Sequence, residues 1–158
     1  FRLMWECGLL GDLVPELADY VTESGGAKSD TFKYLETLDG YERMMAAKGF
    51  EVSNGLRSAV LMTGLFRREK KDGASRRVMQ ALTSTLKTPK AVYFTSVLLL
   101  ESIRRFSSSP SRGKSRFIYN RDFLDALDYN RIVARAEGRS EDVLNEWSDL
   151  YEEKGNIQ

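Results

Sequence analysis

The stretch DTFKYLETLDGYERMMAAKG, residues 30–49, decides how the chain is read. Its apolar positions Phe32, Leu35, Leu38, Tyr41 and Met45 recur every three or four residues, which gathers them on one face of an α-helix. Asp30 stands where a capping residue is wanted, and Gly49 stands where a helix stops. The same spacing continues downstream. Ser53 opens a helix through Leu56, Ala59, Val60, Thr63 and Phe66, and Ser75 caps one with Val78, Met79, Leu82 and Leu86. Thr88-Pro89 reads as a cap followed by proline at the first helical position, where the missing N–H costs nothing. That helix runs through Val92, Leu99, Ile103 and Phe106 until Ser107-Ser108-Ser109-Pro110 ends it. Asn120 starts a helix bearing Phe123, Leu124, Leu127 and Ile132, stopped by Gly138. Ser140, with Glu141 and Asp142 in the first turn, caps a last one carrying Val143, Trp147, Leu150 and Tyr151. Strand-like alternation between turn pairs is missing. The spacing predicts an all-α fold, a compact multi-helix domain of roughly seven helices.

A chain of 158 residues, 42 % of them apolar, has enough material for a packed core. It divides into a helical body over 1–106, a basic Ser-rich loop over 107–116 and a C-terminal helical tail over 117–158 packed on the body. No internal repeat is present. The most apolar stretch, residues 91–100, is too short and too polar to span a bilayer, so no membrane partner is expected. The opening residues Phe1 to Cys7 lack the charged start and cleavage pattern of a signal peptide, and the missing initiator Met reads as a segment of a longer protein. The one cysteine cannot form an internal disulfide, which fits a reducing, cytoplasmic location. Beside Trp5 and Leu9, Cys7 reads as a buried core thiol. With no histidine, a Ser-His-Asp or Cys-His nucleophile, a His-ligated zinc and an imidazole base are all excluded within this chain.

Twenty-four bases against 23 acids leave a formal charge of +1, yet the charges are segregated. Residues 1–42 carry three bases and nine acids, residues 43–121 seventeen bases and four acids, and residues 122–158 four bases and ten acids. A centre of +13 between flanks of −6 is the pattern of a polyanion-binding surface, because cations near phosphates release condensed counterions. The cations fall in three concentrations. The first is Arg67-Arg68-Glu69-Lys70-Lys71 with Arg76-Arg77; the second is Lys87 and Lys90 around Pro89. The third runs from Arg104-Arg105 through Arg112, Lys114 and Arg116 to Arg121. Phe106, Phe117 and Tyr119 are interleaved with it, where they could stack on unpaired bases. Asp122, Asp125 and Asp128, at i, i+3 and i+6, read as a solvated acidic face or a dock for the basic segment rather than a metal site. Gly25-Gly26-Ala27-Lys28 lacks the spacing and the preceding strand of a phosphate loop.

A series of short marks spans nearly the whole chain in a consistent order. It comprises Gly8-Leu9-Leu10 with Leu13-Val14-Pro15-Glu16-Leu17, then Thr88-Pro89-Lys90 and Gly113-Lys114. Arg121-Asp122-Phe123 with Ala126 and Asp128 follows, and Leu144-Asn145-Glu146-Trp147 with Leu150-Tyr151 closes it. This order resembles the C-terminal helical region of bacterial poly(A) polymerases, in the class that also holds the tRNA CCA-adding enzymes. Ala91 and Ser115 stand where that family has arginines after Pro-Lys and Gly-Lys. The resemblance implies a part that holds RNA while a separate head, with an Asp-x-Asp pair and two Mg²⁺ ions, adds AMP from ATP. No Asp-x-Asp occurs in these residues, so no catalytic residue, metal or cofactor is expected in this chain.

The expected partner is RNA, as a single-stranded 3′ end or a tRNA. Its phosphates would meet Lys90, Arg104, Arg105, Arg112, Lys114, Arg116 and Arg121, which position the strand without reading its sequence. Two alternatives are the same region of a tRNA CCA-adding enzyme, and a helical protein-interaction module whose basic face docks an acidic partner.

Overall fold

The computed structural model describes residues 1–111 and 115–155. Among them the fold is all-α, with no strand. The helices are α1 (Arg2–Glu6), α2 (Leu9–Leu13), α3 (Pro15–Glu23), α4 (Asp30–Ala47), α5 (Asn54–Arg68), α6 (Ala74–Thr83), α7 (Lys90–Arg105), α8 (Phe123–Ala136) and α9 (Asp142–Gly155). Two 3₁₀ turns, Gly26–Lys28 and Ser115–Tyr119, join them. The described residues thus hold nine helices where about seven are expected from the spacing. The excess lies in the first 23 residues, where α1 and α2 are five residues each, too short for a 3.6-residue period to register.

Helix α5 sits at the centre, packed against α3, α4, α6, α7 and α8. Leu56, Ala59, Val60, Met62, Thr63 and Leu65 are all buried, so α5 presents apolar surface on most sides. Two glycines let its neighbours approach. At Gly55 an added Cβ would lie 2.6 Å from Thr95 Cγ2 on α7, and the Ser96 hydroxyl donates to the Gly55 carbonyl at 3.0 Å. At Gly64 it would lie 2.7 Å from Tyr20 Cε1 and 2.9 Å from Asp30 Oδ1. Those two groups are themselves joined, the Tyr20 hydroxyl donating to Asp30 Oδ1 at 2.7 Å.

The caps follow local chemistry where nothing tertiary competes. Ser53 caps α5 as expected, its Oγ accepting from the Leu56 N–H at 3.1 Å, and Ser140 Oγ accepts from the Asp142 N–H at 3.2 Å. Elsewhere the expected cap has another partner. The Asp30 carboxylate is taken by Tyr20, and Ser29 caps α4. Ser75 lies inside α6, buried, and donates to Glu101 Oε1 on α7 at 2.7 Å; α6 starts after Gly73. Pro89 has an extended ψ of 141° and is the cap of α7, not its first helical residue; its carbonyl accepts the first helical bond, from Tyr93. Residues 120–122 form a turn in which Asn120 Oδ1 accepts from the Asp122 N–H, so α8 begins at Phe123.

Helix α8 packs against α4, α5 and α7, and its buried residues join the same hydrophobic core as those of the body. A ring cluster extends that core under α9. Phe106 lies 5.7 Å from Phe117 and 5.3 Å from Trp147, centroid to centroid, and Phe123 adjoins all three. Trp147 is fully buried and donates from Nε1 to the Ser108 carbonyl at 3.0 Å. Cys7 is exposed, contrary to the core position expected of it: it caps the short α1, while Trp5 turns inward onto Phe32.

Gly64→Ala is expected to destabilise the fold by about 1–3 kcal/mol, because the methyl group must displace both Tyr20 and Asp30 from a packed junction. Urea titration reads this as a lower midpoint at unchanged slope; an unaltered midpoint would show that the junction yields without cost.

Candidate nucleic-acid interface

Helices α5 and α7 run side by side in the same direction. Gly55 meets Thr95 near their starts, and Phe66 and Ile103 line one hollow near their ends. Helix α6 carries the chain back between them. Both helices end in arginines, Arg67-Arg68 and Arg104-Arg105, where cations complement the negative end of the helix dipole. Two basic concentrations far apart in sequence therefore meet at one end of the bundle.

They meet across a trough. One part, of about 570 Å³, is lined by Lys70, Lys71, Glu101, Arg104 and Ser107 among others. The next, of about 590 Å³, adds Arg105, Ser108 and Arg116, and shares Glu101, Arg104 and Ser107 with the first. Glu101, in the shared wall, is the acceptor for buried Ser75.

Partners separate structural cations from available ones. Arg67 is spent on Glu137, with Nη2 2.9 Å from Oε2 and Nε 3.1 Å from Oε1. Burial alone would raise the Glu137 pKa, but hydrogen bonds from Arg139 and Tyr34 and the charge of Arg67 together hold it below its ordinary 4.5. Arg68 pairs with Glu23 at 2.6 Å and lies over the Tyr20 ring, and Arg77 reaches Glu69 at 3.4 Å. Lys70, Lys71, Arg104 and Arg116 are exposed and form no ion pair among the described residues. Arg105 lies over the Phe117 ring at 4.4 Å, a contact that orients its charge without neutralising it.

Of the cations expected to touch RNA, Arg104, Arg105 and Arg116 are thus brought together. Lys90 is not: it starts α7, fourteen residues before Arg104, or about 21 Å along the axis. Arg121 lines a separate hollow beside α9. Arg112 and Lys114 lie outside the described residues. Lys70 and Lys71 enter the trough although no family mark singles them out; the run of bases just past the end of α5 was their only signal in the sequence.

Two of the three rings expected to stack on bases are withdrawn from solvent. Phe106 is 4 % exposed and Phe117 7 %, both held in the cluster around Trp147, while Tyr119 is 64 % exposed. The acidic row is divided in its uses. Asp125 Oδ2 accepts from the Ser53 hydroxyl at 2.7 Å, and Asp128 faces the Tyr41 hydroxyl between α8 and α4. Burial, reinforced by nearby Asp125, raises the Asp128 pKa in spite of Tyr41, Arg131 and Arg135. Among the described residues no group of acids and thiols could hold a metal ion, and no helix is long and apolar enough to cross a membrane. No protein-family model, curated protein or solved structure matches the chain.

A carboxyl group whose folded pKa is raised supports the fold fully below its unfolded value, here 3.8, and loses that support as pH rises through the folded value. Asp128→Asn keeps an acceptor for Tyr41 and removes the ionisation. Thermal melts should therefore show a higher Tm than wild type at about pH 7, and no difference below about pH 3. A lower Tm at about pH 7 alone would mean that the charge itself is needed, and a lower Tm at both would mean that the amide does not fit the site.

Proposed function

We propose that this chain is the RNA-holding, non-catalytic helical region of a poly(A) polymerase-like nucleotidyltransferase. The observation that supports it best is the trough, where Lys70, Lys71, Arg104, Arg105 and Arg116 converge without acidic partners among the described residues. Cations so placed neutralise a phosphodiester backbone and set its register, and they carry no sequence information. Arg67, Arg68 and Arg77 stay with their carboxylates and hold the ends of α5 and α6. The residues present do not fit a two-Mg²⁺ centre, since no Asp-x-Asp occurs among them, and no chemical step is assigned to this chain.

Helix geometry keeps Lys90 out of this grip. The order of sequence marks ties this grip to polyadenylation; the trough itself speaks for a polyanion.

Five neutralised phosphates on a single strand imply a fall in affinity of roughly a hundredfold between about 50 and 200 mM salt. Arg104→Ala and Lys71→Ala should each weaken binding of a labelled RNA and lower the salt slope by roughly one, and Lys90→Ala should do neither. Binding that ignores salt, or equal losses for all three variants, would sink the reading. Competition between oligoadenylate and tRNA then separates an A-tail grip from a tRNA grip.

A further inference from the structure

A second hollow, of about 450 Å³, opens between the Ser115–Tyr119 turn and the end of α9. Its volume falls in the range of ~300–1,000 Å³ that small-ligand sites occupy. Tyr119, Asn120, Arg121, Leu124, Tyr151 and Lys154 line it. The rings at the trough, Phe66 and Phe117, are part-buried and buried; this hollow has the 64 % exposed Tyr119 together with cations.

Each lining group is held and left available. Phe117 and Ile118 are buried, and the Asn120 N–H donates to the Phe117 carbonyl at 2.9 Å, so Tyr119, 64 % exposed, stands on an anchored turn. Leu124, on the first turn of α8, is 49 % exposed beside it. The Tyr151 ring is stacked on Phe123, 5.1 Å between centroids and 22° between planes, which fixes it at the wall. Asn120 Oδ1 accepts from the Asp122 N–H, and its amide N–H groups have no acceptor among the described residues. The Arg121 side chain is 85 % exposed and makes a long ion pair with Asp122, Nε to Oδ1 3.7 Å, which leaves most of the guanidinium open. Lys154 forms no ion pair among the described residues.

We propose that this hollow seats one unpaired nucleotide of a bound RNA strand, its base against Tyr119 and Leu124 and its phosphate between Arg121 and Lys154. The inference rests on the RNA reading and adds to it a base contact that the trough does not make. An aromatic face with an aliphatic side chain beside it, an amide donor and two cations match the face, edge and phosphate of a nucleotide.

The test uses the full chain and two labelled probes, an oligoadenylate and an oligomer of equal length with abasic sites throughout, read by fluorescence anisotropy. Wild type should bind the oligoadenylate about fivefold or more tightly than the abasic oligomer, the equivalent of one stacked base. Tyr119→Ala should bring the oligoadenylate to the abasic level and leave the abasic oligomer unchanged; Tyr119→Phe should restore the preference. Equal binding of both probes by wild type overturns the proposal, as does a Tyr119→Ala variant that weakens both probes alike or neither. Lys71→Ala keeps the two readings apart: it should weaken both probes equally, and if it weakens neither while Tyr119→Ala acts as expected, the trough reading fails and the nucleotide seat stands. Binding of neither probe by wild type overturns both.

Discussion

The close approach of helices to α5 is the constraint on which the rest depends. At Gly55 and Gly64 there is no room for a methyl group, because α7 and the Tyr20–Asp30 pair occupy it. Interiors are packed near the density of organic crystals, so such contacts fix axial positions to within a fraction of a side chain. Once Gly55 is against Thr95, the parallel course of α7 along α5 follows, and so does the level at which α7 ends. Arg104 then arrives at the hollow of Lys70 and Lys71 as a matter of helix length, with Arg105 in the adjoining part of the trough.

That arrangement also explains why the trough has a floor of uncommitted charge. Each helix end attracts cations, but only some find a carboxylate within reach: Glu137 serves Arg67 and Arg139, Glu23 serves Arg68, and Glu69 serves Arg77. Most of the acids belong to the flanks, and part of that acidity is used internally. Asp125 holds the cap of α5, and Glu141 binds Arg131 and Arg135 at the α8–α9 turn. Of the acids that do line the trough, Glu69 and Glu101 are engaged by Arg77 and Ser75, and its lysines and Arg104 keep their charge.

What was legible in the sequence was local. Spacing of apolar residues marks α4 through α9, and Ser53 and Ser140 cap as their side chains dictate. Where a cap residue misleads, a distant group has outbid the backbone: Tyr20 for Asp30, Glu101 for Ser75. The same holds for the interface. The charge pattern identifies a basic face, but which cations share it depends on the parallel course of α5 and α7, a long-range pairing that periodicity does not encode. Phe106 and Phe117 mislead for a related reason, since an aromatic beside an arginine reads alike whether it faces solvent or Trp147.

The ring cluster carries a consequence for how such a surface can change. Phe106 and Phe117 meet at 5.7 Å, so the chain returns to the cluster it left, and Trp147 secures the departing strand at Ser108. In polymer terms the ten residues between the rings close a loop, and doubling such a loop adds only about 0.6 kcal/mol of closure entropy. Ser107, Ser108 and Arg116, the rim residues at either end of that loop, are thereby placed by the rings and not by the length of the chain between them.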